Sequence, residues 1–229
     1  MDRMHPVQMP QYVIDRIMAK RGKLVVYDHF DPRETALLVV DMQNFYVSEV
    51  ETARAIVPNI NRLAEVMRER GGKVAWVCMT AGKDGTSLWP VYHTYFFTES
   101  KGMRHRDELS ERADGHKLYP AMDARPEDIY AWKTRFSPFV SGSSNLESML
   151  RASGIRNLIV TGTATNMCSE STARDAMMLD YRVIMVSDAN AARYDEDHLA
   201  GLTSFYQSFG DVRTTDEIVK QVLAPADPA

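Results

Sequence analysis

Three side chains that together could carry out acyl chemistry follow three separate apolar runs of the sequence. Asp41 comes directly after one run, Lys133 ends a second, and Cys168 follows shortly after a third. A thiolate is a nucleophile, a carboxylate can accept the thiol proton, and an ammonium can stabilise both negative charges. If the fold brings the three residues together, they form a nucleophilic cysteine site.

The apolar runs alternate with segments of helical spacing. The predicted strands are 36–40, 74–79, 128–133, 158–161 and 183–186. The predicted helices are 12–18, 53–70, 144–150, 166–179, 195–209 and 214–223, and capping boxes are predicted at Ser144 with Glu147 and at Thr214 with Glu217. Continuous apolar runs indicate strands buried on both faces. The sequence therefore predicts a three-layer α/β domain with a mostly parallel central sheet.

The carboxyl ends of parallel strands meet at one edge of the sheet, where open α/β folds bind their ligands. Asp41, Lys133 and Cys168 all lie at that edge in this prediction. Each has an ordinary alternative: a helix cap for Asp41, a surface cation for Lys133 and a small core residue for Cys168. Cys168 is also predicted in the first turn of a helix, where backbone N–H groups and a nearby lysine would lower its pKa. Cys78 lies within a strand and is predicted to be structural.

The composition is that of an ordinary soluble protein. The chain has 229 residues, 27 basic and 31 acidic side chains, a net charge of −4 and a pI near 5.9. Nucleic-acid-binding domains are typically basic, and two cysteines suit a reducing compartment. No apolar run approaches the roughly 20 residues of a membrane span, and the first residues contain no signal-peptide core. We therefore expect a cytoplasmic protein with no membrane and no nucleic-acid partner.

The length indicates one domain preceded by an extension. Residues 1–30 are predicted to form an N-terminal extension with a short helix, and residues 31–229 to form the domain itself. Between 81 and 125 the pattern becomes irregular and rich in aromatic and charged residues. Connections of that length are uncommon in compact domains. We therefore expect residues 81–125 to be an insertion that determines the substrate.

Three motifs resemble those of the isochorismatase-like cysteine hydrolases, in the same order and spacing. They are Leu38-Val39-Val40-Asp41-Met42-Gln43-Asn44, Lys133 with Phe136-Ser137, and Gly162-Thr163-Ala164-Thr165-Asn166-Met167-Cys168-Ser169-Glu170-Ser171-Thr172. The third motif is most similar to ureidoacrylate amidohydrolases, with N-carbamoylsarcosine amidases and biuret hydrolases as near relatives. The resemblance covers roughly 35–223 outside the insertion and implies a Rossmann-like α/β/α fold.

The resemblance also implies a catalytic mechanism. Asp41, Lys133 and Cys168 would form an Asp–Lys–Cys triad in which Asp41 takes the thiol proton and Lys133 keeps Asp41 ionised. A non-proline cis peptide between Thr163 and Ala164 would turn the Ala164 N–H toward that of Cys168, so that the two form an oxyanion hole. The implied reaction cleaves a C–N bond of a small ureido, carbamoyl or primary amide substrate through a thioester, with release of ammonia or an amine.

The family contains other reactions. Isochorismatases proper cleave a vinyl ether without a cysteine nucleophile, which Cys168 disfavours. Nicotinamidases usually add an Asp and two His as metal ligands after the second strand, but here only Asp84 and His93 are candidates. Two ligands do not make a metal site, so we predict neither a metal nor a cofactor. A nicotinamidase- or biuret hydrolase-type amidase and a non-catalytic α/β module that binds a small ligand remain as alternatives.

Five residues are predicted to contact the small amide or ureido substrate, and they are Gln43, Asn44, Trp89, Tyr92 and Phe136. The two amides directly follow the catalytic acid, and the aromatic side chains could cover a flat molecule. Arg135 and Lys83 are candidates for holding a carboxylate. Aromatic residues in insertions also pack subunit interfaces, and the resemblance implies a homodimer or homotetramer.

Overall fold

Apolar strands buried on both faces form the centre of the computed structural model, which describes residues 2–224. The strands are Thr35–Val40 (β1), Lys73–Met79 (β2), Gly82–Lys83 (β3), Thr86–Ser87 (β4), Ile129–Lys133 (β5), Asn157–Thr163 (β6), Arg182–Ala191 (β7) and Asp211–Arg213 (β8). The helices are Gln11–Arg21 (α1), Asn44–Val47 (α2), Glu51–Ala55 (α3), Val57–Glu69 (α4), Pro90–Tyr95 (α5), Glu99–Glu108 (α6), Leu146–Ala152 (α7), Glu170–Met178 (α8), Asp195–Ser208 (α9) and Thr215–Glu217 (α10). Within 2–224, no helix is both long and apolar enough to cross a membrane.

The six long-range strands pair in the order β5-β2-β1-β6-β7-β8, and every pairing is parallel. From β1 the chain builds outward to β2 and β5, and it then returns to the other side of β1 with β6. The boundary between β1 and β6 is therefore the topological switch point of the sheet, where open α/β folds bind ligands. The predicted α/β class with a mostly parallel sheet is confirmed.

Two apolar layers cover the sheet because its strand residues alternate between its faces. Leu37 and Val39 of β1 point toward α4, whereas Ala36, Leu38 and Val40 point toward the opposite helices. The first layer is completed by residues of α3 and α4 that include Ala53, Ile60, Leu63 and Met67, and the second by residues of α7, α8 and α9 that include Leu146, Ala173 and Leu202. All six residues of β1 are buried, which explains its unbroken apolar sequence.

Several predicted boundaries differ from the structure. The prediction of one helix over 53–70 was wrong, because α3 ends at Ala55 and α4 starts at Val57. The predicted capping box at Ser144 is not formed: the Ser144 hydroxyl accepts from the N–H of Leu146, and α7 has no side-chain cap. The predicted box at Thr214 with Glu217 is confirmed. Strand β8 was missed because three residues show no periodicity.

The segment 81–125 is largely folded rather than irregular. It contains the β3–β4 hairpin, α5, α6 and a 3₁₀ turn over Asp114–His116. Ala81 and Leu109 form a small apolar cluster with Met79 at the end of β2, and Phe45 and Tyr46 of α2 pack against that cluster. The segment is thereby fixed beside the carboxyl edge of the sheet.

The N-terminal extension packs against α9, and its Arg3 pairs with Asp195 at the start of that helix and with Glu51 at the start of α3. Val13 and Ile17 of α1 are buried against Tyr206 of α9. The predicted helix 12–18 is thus present, and it extends to Arg21 before Gly22 ends it with φ 73°.

Candidate active site

The three side chains nominated by the sequence lie together at the switch point. The Nζ of Lys133 lies 2.8 Å from Asp41 Oδ2 and 3.4 Å from Cys168 Sγ. Lys133 is 0% exposed, Asp41 1% and Cys168 7%. A lysine is almost never fully buried without a partner, and here the same ammonium faces a carboxylate and a thiol.

Backbone contacts between neighbouring strands hold Asp41 in place. Its N–H donates to Val77 O at 2.8 Å, and its own carbonyl accepts from Thr163 Oγ1 at 3.0 Å. The backbone of Asp41 has φ 51°, a left-handed conformation that directs the chain out of β1. Asp41 Oδ1 is buried and has no hydrogen-bond partner among the described residues. That oxygen is therefore available to accept a proton.

Gly162 allows β6 to pass close enough to β1 to form the site. A Cβ at this position would lie 2.1 Å from Val40 O, and its φ is 110°. Both the contact and the dihedral angle exclude side-chain-bearing residues. The glycine thus places Thr163 and the following turn directly beside the end of β1.

Cys168 lies in a π-helical turn, Thr165–Ser169, that leads into α8. The peptide bond between Thr163 and Ala164 is cis. The Ala164 carbonyl accepts from the N–H groups of Met167 and Ser169, and the Cys168 carbonyl accepts from the Thr172 hydroxyl. These bonds fix the backbone on both sides of the thiol.

Burial and charge set the protonation states of the three residues. Burial raises the pKa of the Asp41 carboxyl above its ordinary value, against the opposing effect of the Lys133 ammonium. Burial disfavours the charged form of Lys133, but the Asp41 charge and the contacts with Asp41 and Cys168 outweigh it, so the pKa of Lys133 is raised. Lys133 therefore remains an ammonium at neutral pH.

The Cys168 thiol is protonated in this environment. Burial raises the pKa of the thiol well above its ordinary value, the Asp41 charge raises it further, and Lys133 only opposes the rise. This corrects the expectation that Lys133 and the helix start would lower the thiol pKa: desolvation of the thiolate is the larger effect. The thiol therefore needs a base beside it. Cys78 is also buried, and burial raises its pKa to about 12.

A cavity of about 560 Å³ opens onto Cys168. Its walls are mainly apolar and aromatic, with contributions from α2, from the segment 81–125 and from the loop after β7. The aromatic lining consists of Phe45, Tyr46, Tyr92, Phe97, His105 and Phe136. Three cations also line it, Lys101, Arg104 and Arg193, of which Arg104 pairs with Glu49 and Glu108. Lys101 and Arg193 are exposed and form no ion pair within the described range 2–224.

Two of the five predicted substrate contacts, Tyr92 and Phe136, line the cavity. Trp89 lies behind them and does not line it: its ring packs 4.6 Å from that of Tyr92 and 4.9 Å from that of Phe136. The guanidinium of Arg135 stacks on the Trp89 ring and donates a hydrogen bond to Leu88 O. Arg135 therefore does not face the cavity. Of the three aromatic residues predicted to contact the substrate, Tyr92 and Phe136 therefore form the cavity wall, and Trp89 supports them from behind.

Gln43 and Asn44, which the sequence predicts as substrate contacts, lie outside the cavity lining. The fully buried Gln43 amide donates to Met79 O and His116 O, and its oxygen accepts from Met79 N. The Asn44 amide donates to Asp114 O. Both side chains therefore attach the segment 81–125 to the edge of the sheet. The side chains of Gln43 and Asn44 point away from the cavity that Asp41 lines, because the chain turns into α2 at this point.

The candidate metal ligands do not converge. Asp84 lies on the exposed turn of the β3–β4 hairpin, whereas His93 bonds to Ser87 and His105. Among the described residues, no group of three His, Cys, Asp or Glu side chains could hold a metal ion.

Sequence reasoning missed several cavity residues. Phe45 and Tyr46 could have been found, since a helix that starts three residues after Asp41 keeps its first residues at the same edge. His105 and Arg193 carry no such signal, because their positions depend on how the segment 81–125 and the loop after β7 fold back.

A parallel α/β sheet with a buried acid, lysine and cysteine at its switch point defines a class of small hydrolase-like domains. The chain belongs to the isochorismatase family, whose Isochorismatase domain model matches residues 35–217.

Known proteins are similar along most of the chain. A ureidoacrylate amidohydrolase of Variovorax paradoxus (strain S110) is 35% identical over 219 residues, covering 84% of this chain and 82% of that protein. A probable inactive nicotinamidase of Arabidopsis thaliana is 36% identical over 177 residues, covering 74% and 87%. The crystal structure of a cysteine hydrolase from Pseudomonas syringae pv. phaseolicola 1448A superposes with a TM-score of 0.75 at 27% identity, covering 85% of this chain and 96% of that one. N-carbamoylsarcosine amidase from Thermoplasma acidophilum superposes with a TM-score of 0.64 at 26% identity, covering 80% and 97%.

Proposed function

We propose that this protein is a cysteine-dependent amidohydrolase that cleaves the C–N bond of a small ureido, carbamoyl or primary amide substrate. The observation that carries the proposal is the position of the Lys133 ammonium, 2.8 Å from Asp41 and 3.4 Å from Cys168. The cavity lets a small molecule reach the thiol, and the similarity to ureidoacrylate amidohydrolases favours a ureidoacrylate-like substrate.

In the first half of the reaction, the Cys168 proton moves to Asp41 as sulfur attacks the substrate carbonyl. The raised pKa of the Asp41 carboxyl makes it a better base than an ordinary aspartate. Lys133 stabilises the thiolate and keeps Asp41 ionised until the transfer occurs. The N–H groups of Ala164 and Cys168 hold the oxyanion, a type of contact that is typically worth about 3 kcal/mol.

In the second half, the C–N bond breaks and the leaving nitrogen takes the proton from Asp41. Ammonia or an amine departs, and the acyl group remains on sulfur as a thioester. Asp41, again a carboxylate, accepts a proton from water as the water attacks the thioester. The tetrahedral intermediate collapses, the proton returns to sulfur, and the acid or carbamate product leaves.

The cavity favours a flat substrate with an anionic end. Tyr92 and Phe136 can cover a planar ureido or acrylate group. Lys101 and Arg193 supply positive charge at the cavity, and the cations expected from the sequence, Arg135 and Lys83, do not line it. A carboxylate at the outer end of the substrate would complement those charges.

Exposed aromatic side chains in the segment 81–125 favour a homo-oligomer, and a cytoplasmic location is part of the same proposal. Tyr95 and Phe96 of the segment 81–125 are 77% and 72% exposed, as suits a subunit interface. A homodimer or homotetramer would cover them, and light scattering coupled to gel filtration measures that state. The division into an extension over 1–30 and a hydrolase domain over 31–229 is part of the same proposal.

An ammonia-release screen tests the proposed reaction. Wild-type protein is incubated with ureidoacrylate, N-carbamoyl amino acids, biuret, maleamate and nicotinamide. Turnover of a ureido or carbamoyl compound supports the proposal, and turnover of nicotinamide alone, lost after chelation, supports the nicotinamidase alternative. Binding of these compounds without any turnover identifies a non-catalytic binding module.

A further inference from the structure

A continuous chain of hydrogen bonds runs from the β3–β4 hairpin to the wall of the cavity. Ser87 Oγ lies 2.5 Å from His93 Nδ1, and His93 Nε2 lies 2.9 Å from His105 Nδ1. His105 Nε2 in turn lies 3.4 Å from the hydroxyl of Tyr46, which lines the cavity beside Cys168. The mechanism described above uses none of these four residues.

Both imidazoles in the chain are neutral. Burial is the main cause for each: it lowers the pKa of His105 to about 4, and it lowers the pKa of His93 below its ordinary value. The cations nearby, Lys133 for His105 and Arg106 for His93, act in the same direction. A neutral imidazole has one N–H donor and one acceptor nitrogen. The chain must therefore run in one direction along its whole length.

Two directions are possible. They differ in which hydroxyl, that of Tyr46 or that of Ser87, keeps a proton that is not donated within the chain. If the chain runs inward, Ser87 donates to His93, His93 donates to His105, and His105 donates to Tyr46. The Tyr46 proton then points into the cavity. If the chain runs outward, Tyr46 donates to His105, and the left-over proton is that of Ser87 at the surface.

The surrounding charges favour the inward direction. Tyr46 lines the same cavity as Asp41, and burial together with the Asp41 charge raises the pKa of its phenol. Anions attract the hydrogen end of a hydroxyl. Ser87 Oγ already accepts from Trp89 N at 3.0 Å, so donating to His93 pairs both its lone pair and its proton within the protein.

We infer that His93 and His105 are positioning residues that hold the Tyr46 hydroxyl as a hydrogen-bond donor to the substrate. The inference rests on the proposed function for its substrate, an acceptor-bearing amide or ureido compound. Tyr46 supplies an aimed, uncharged donor in the aromatic part of the wall, and it determines which substrates are retained. Substrates with an oxygen or nitrogen acceptor at that point bind more tightly than isosteres without one.

The tautomers of the two histidines test the direction of the chain without any substrate. The inward chain requires both His93 and His105 to carry the proton on Nε2. Two-bond ¹H–¹⁵N NMR spectra of histidine-labelled protein distinguish Nε2–H from Nδ1–H rings, and His93→Gln and His105→Phe variants assign the signals. An Nδ1–H or doubly protonated ring at either residue at pH 7 overturns the inference. This result does not depend on whether the proposed amidase activity is found.

Kinetics with the best substrate of the ammonia-release screen test the contact itself. Loss of one neutral hydrogen bond predicts that Tyr46→Phe raises KM about 10-fold with little change in kcat. In that background His105→Phe causes no further rise in KM, because its effect passes through the Tyr46 hydroxyl. The exposed residues Tyr12 and His29 provide the controls Tyr12→Phe and His29→Gln, which leave KM unchanged. An unchanged KM in Tyr46→Phe, or additive effects in the double variant, contradicts the role assigned to Tyr46.

Discussion

Replacing Lys133 by methionine removes the ammonium that faces Asp41 and keeps an unbranched side chain of similar length. The two charged atoms are 2.8 Å apart, and both side chains are at most 1% exposed. At an effective dielectric constant of about 20, that distance corresponds to an attraction of about 6 kcal/mol. Removing one partner of a buried pair costs about 3–5 kcal/mol of folding stability, since the remaining charge is left desolvated. The cost is less than the full attraction because the Asp41 carboxyl can take up a proton and become neutral.

Urea unfolding, followed by tryptophan fluorescence, measures this cost. Lys133→Met is expected to lose about 3–5 kcal/mol in the free energy of unfolding. The control is Arg62→Met, whose ion pair with Asp216 is about half exposed on each side and should contribute under about 1 kcal/mol. Adding Asp41→Asn to Lys133→Met should restore part of the loss, with a coupling energy of at least about 2 kcal/mol.

The activity of the same variant gives a second readout. Without Lys133 the pKa of Asp41 rises further, so its carboxyl is protonated and cannot accept the thiol proton. Ammonia release should fall by at least about 100-fold. A Lys133→Met protein as stable as Arg62→Met, or one that retains turnover, would refute the view that the buried pair maintains an ionised base.

Three further outcomes follow from individual contacts. Because the pKa of Asp41 is raised, kcat/KM should fall on the acid side with a midpoint above 3.8, the ordinary value, and a lower midpoint contradicts the role of burial. Burial opposes ionisation of Asp128, but hydrogen bonds from Arg68 and from the Trp76 ring lower its pKa below the ordinary 3.8. Its stabilisation is therefore present above the ordinary pKa and is lost as pH falls through the lowered one, and Asp128→Asn should remove that part of the pH dependence of the urea midpoint. Gly162→Ala should abolish soluble expression because of the 2.1 Å approach of Cβ to the Val40 carbonyl, whereas Gly142→Ala, with open space around its Cβ, should cost only about 1–2 kcal/mol for its left-handed backbone.

The sheet could be predicted from the sequence because its strands are buried on both faces. Unbroken apolar runs such as 36–40 arise from that burial, and the parallel class follows from their alternation with helices. The strand order could not be read from periodicity. It is specified by close approaches such as that of Gly162 to β1, which involve residues distant in the sequence.

Asp41, Lys133 and Cys168 could be nominated because each one ends or follows a strand that the pattern identifies. The cavity wall could not, since it depends on side-chain directions after the chain turns. Gln43 and Asn44 follow Asp41 in sequence, yet they bind backbone carbonyls of the segment 81–125 and its surroundings. His105 reaches the cavity only because α6 folds back over α2.

The thiol pKa illustrates a limit of local reasoning. A helix start and a lysine both favour a thiolate at Cys168, but the extent of burial is a property of the whole fold. Burial raises the thiol pKa, and in the proposed mechanism the proton stays in place until Asp41 removes it.

The proposal that Cys168 is the nucleophile is tested most directly by ammonia release from two cysteine variants. Both cysteines are buried, so Cys168→Ala and Cys78→Ala each delete one buried sulfur. Cys168→Ala should show no turnover above the uncatalysed rate while remaining folded, and Cys78→Ala should retain the wild-type rate. Equal turnover in the two variants would contradict the nucleophilic role of Cys168 and the mechanism built on it.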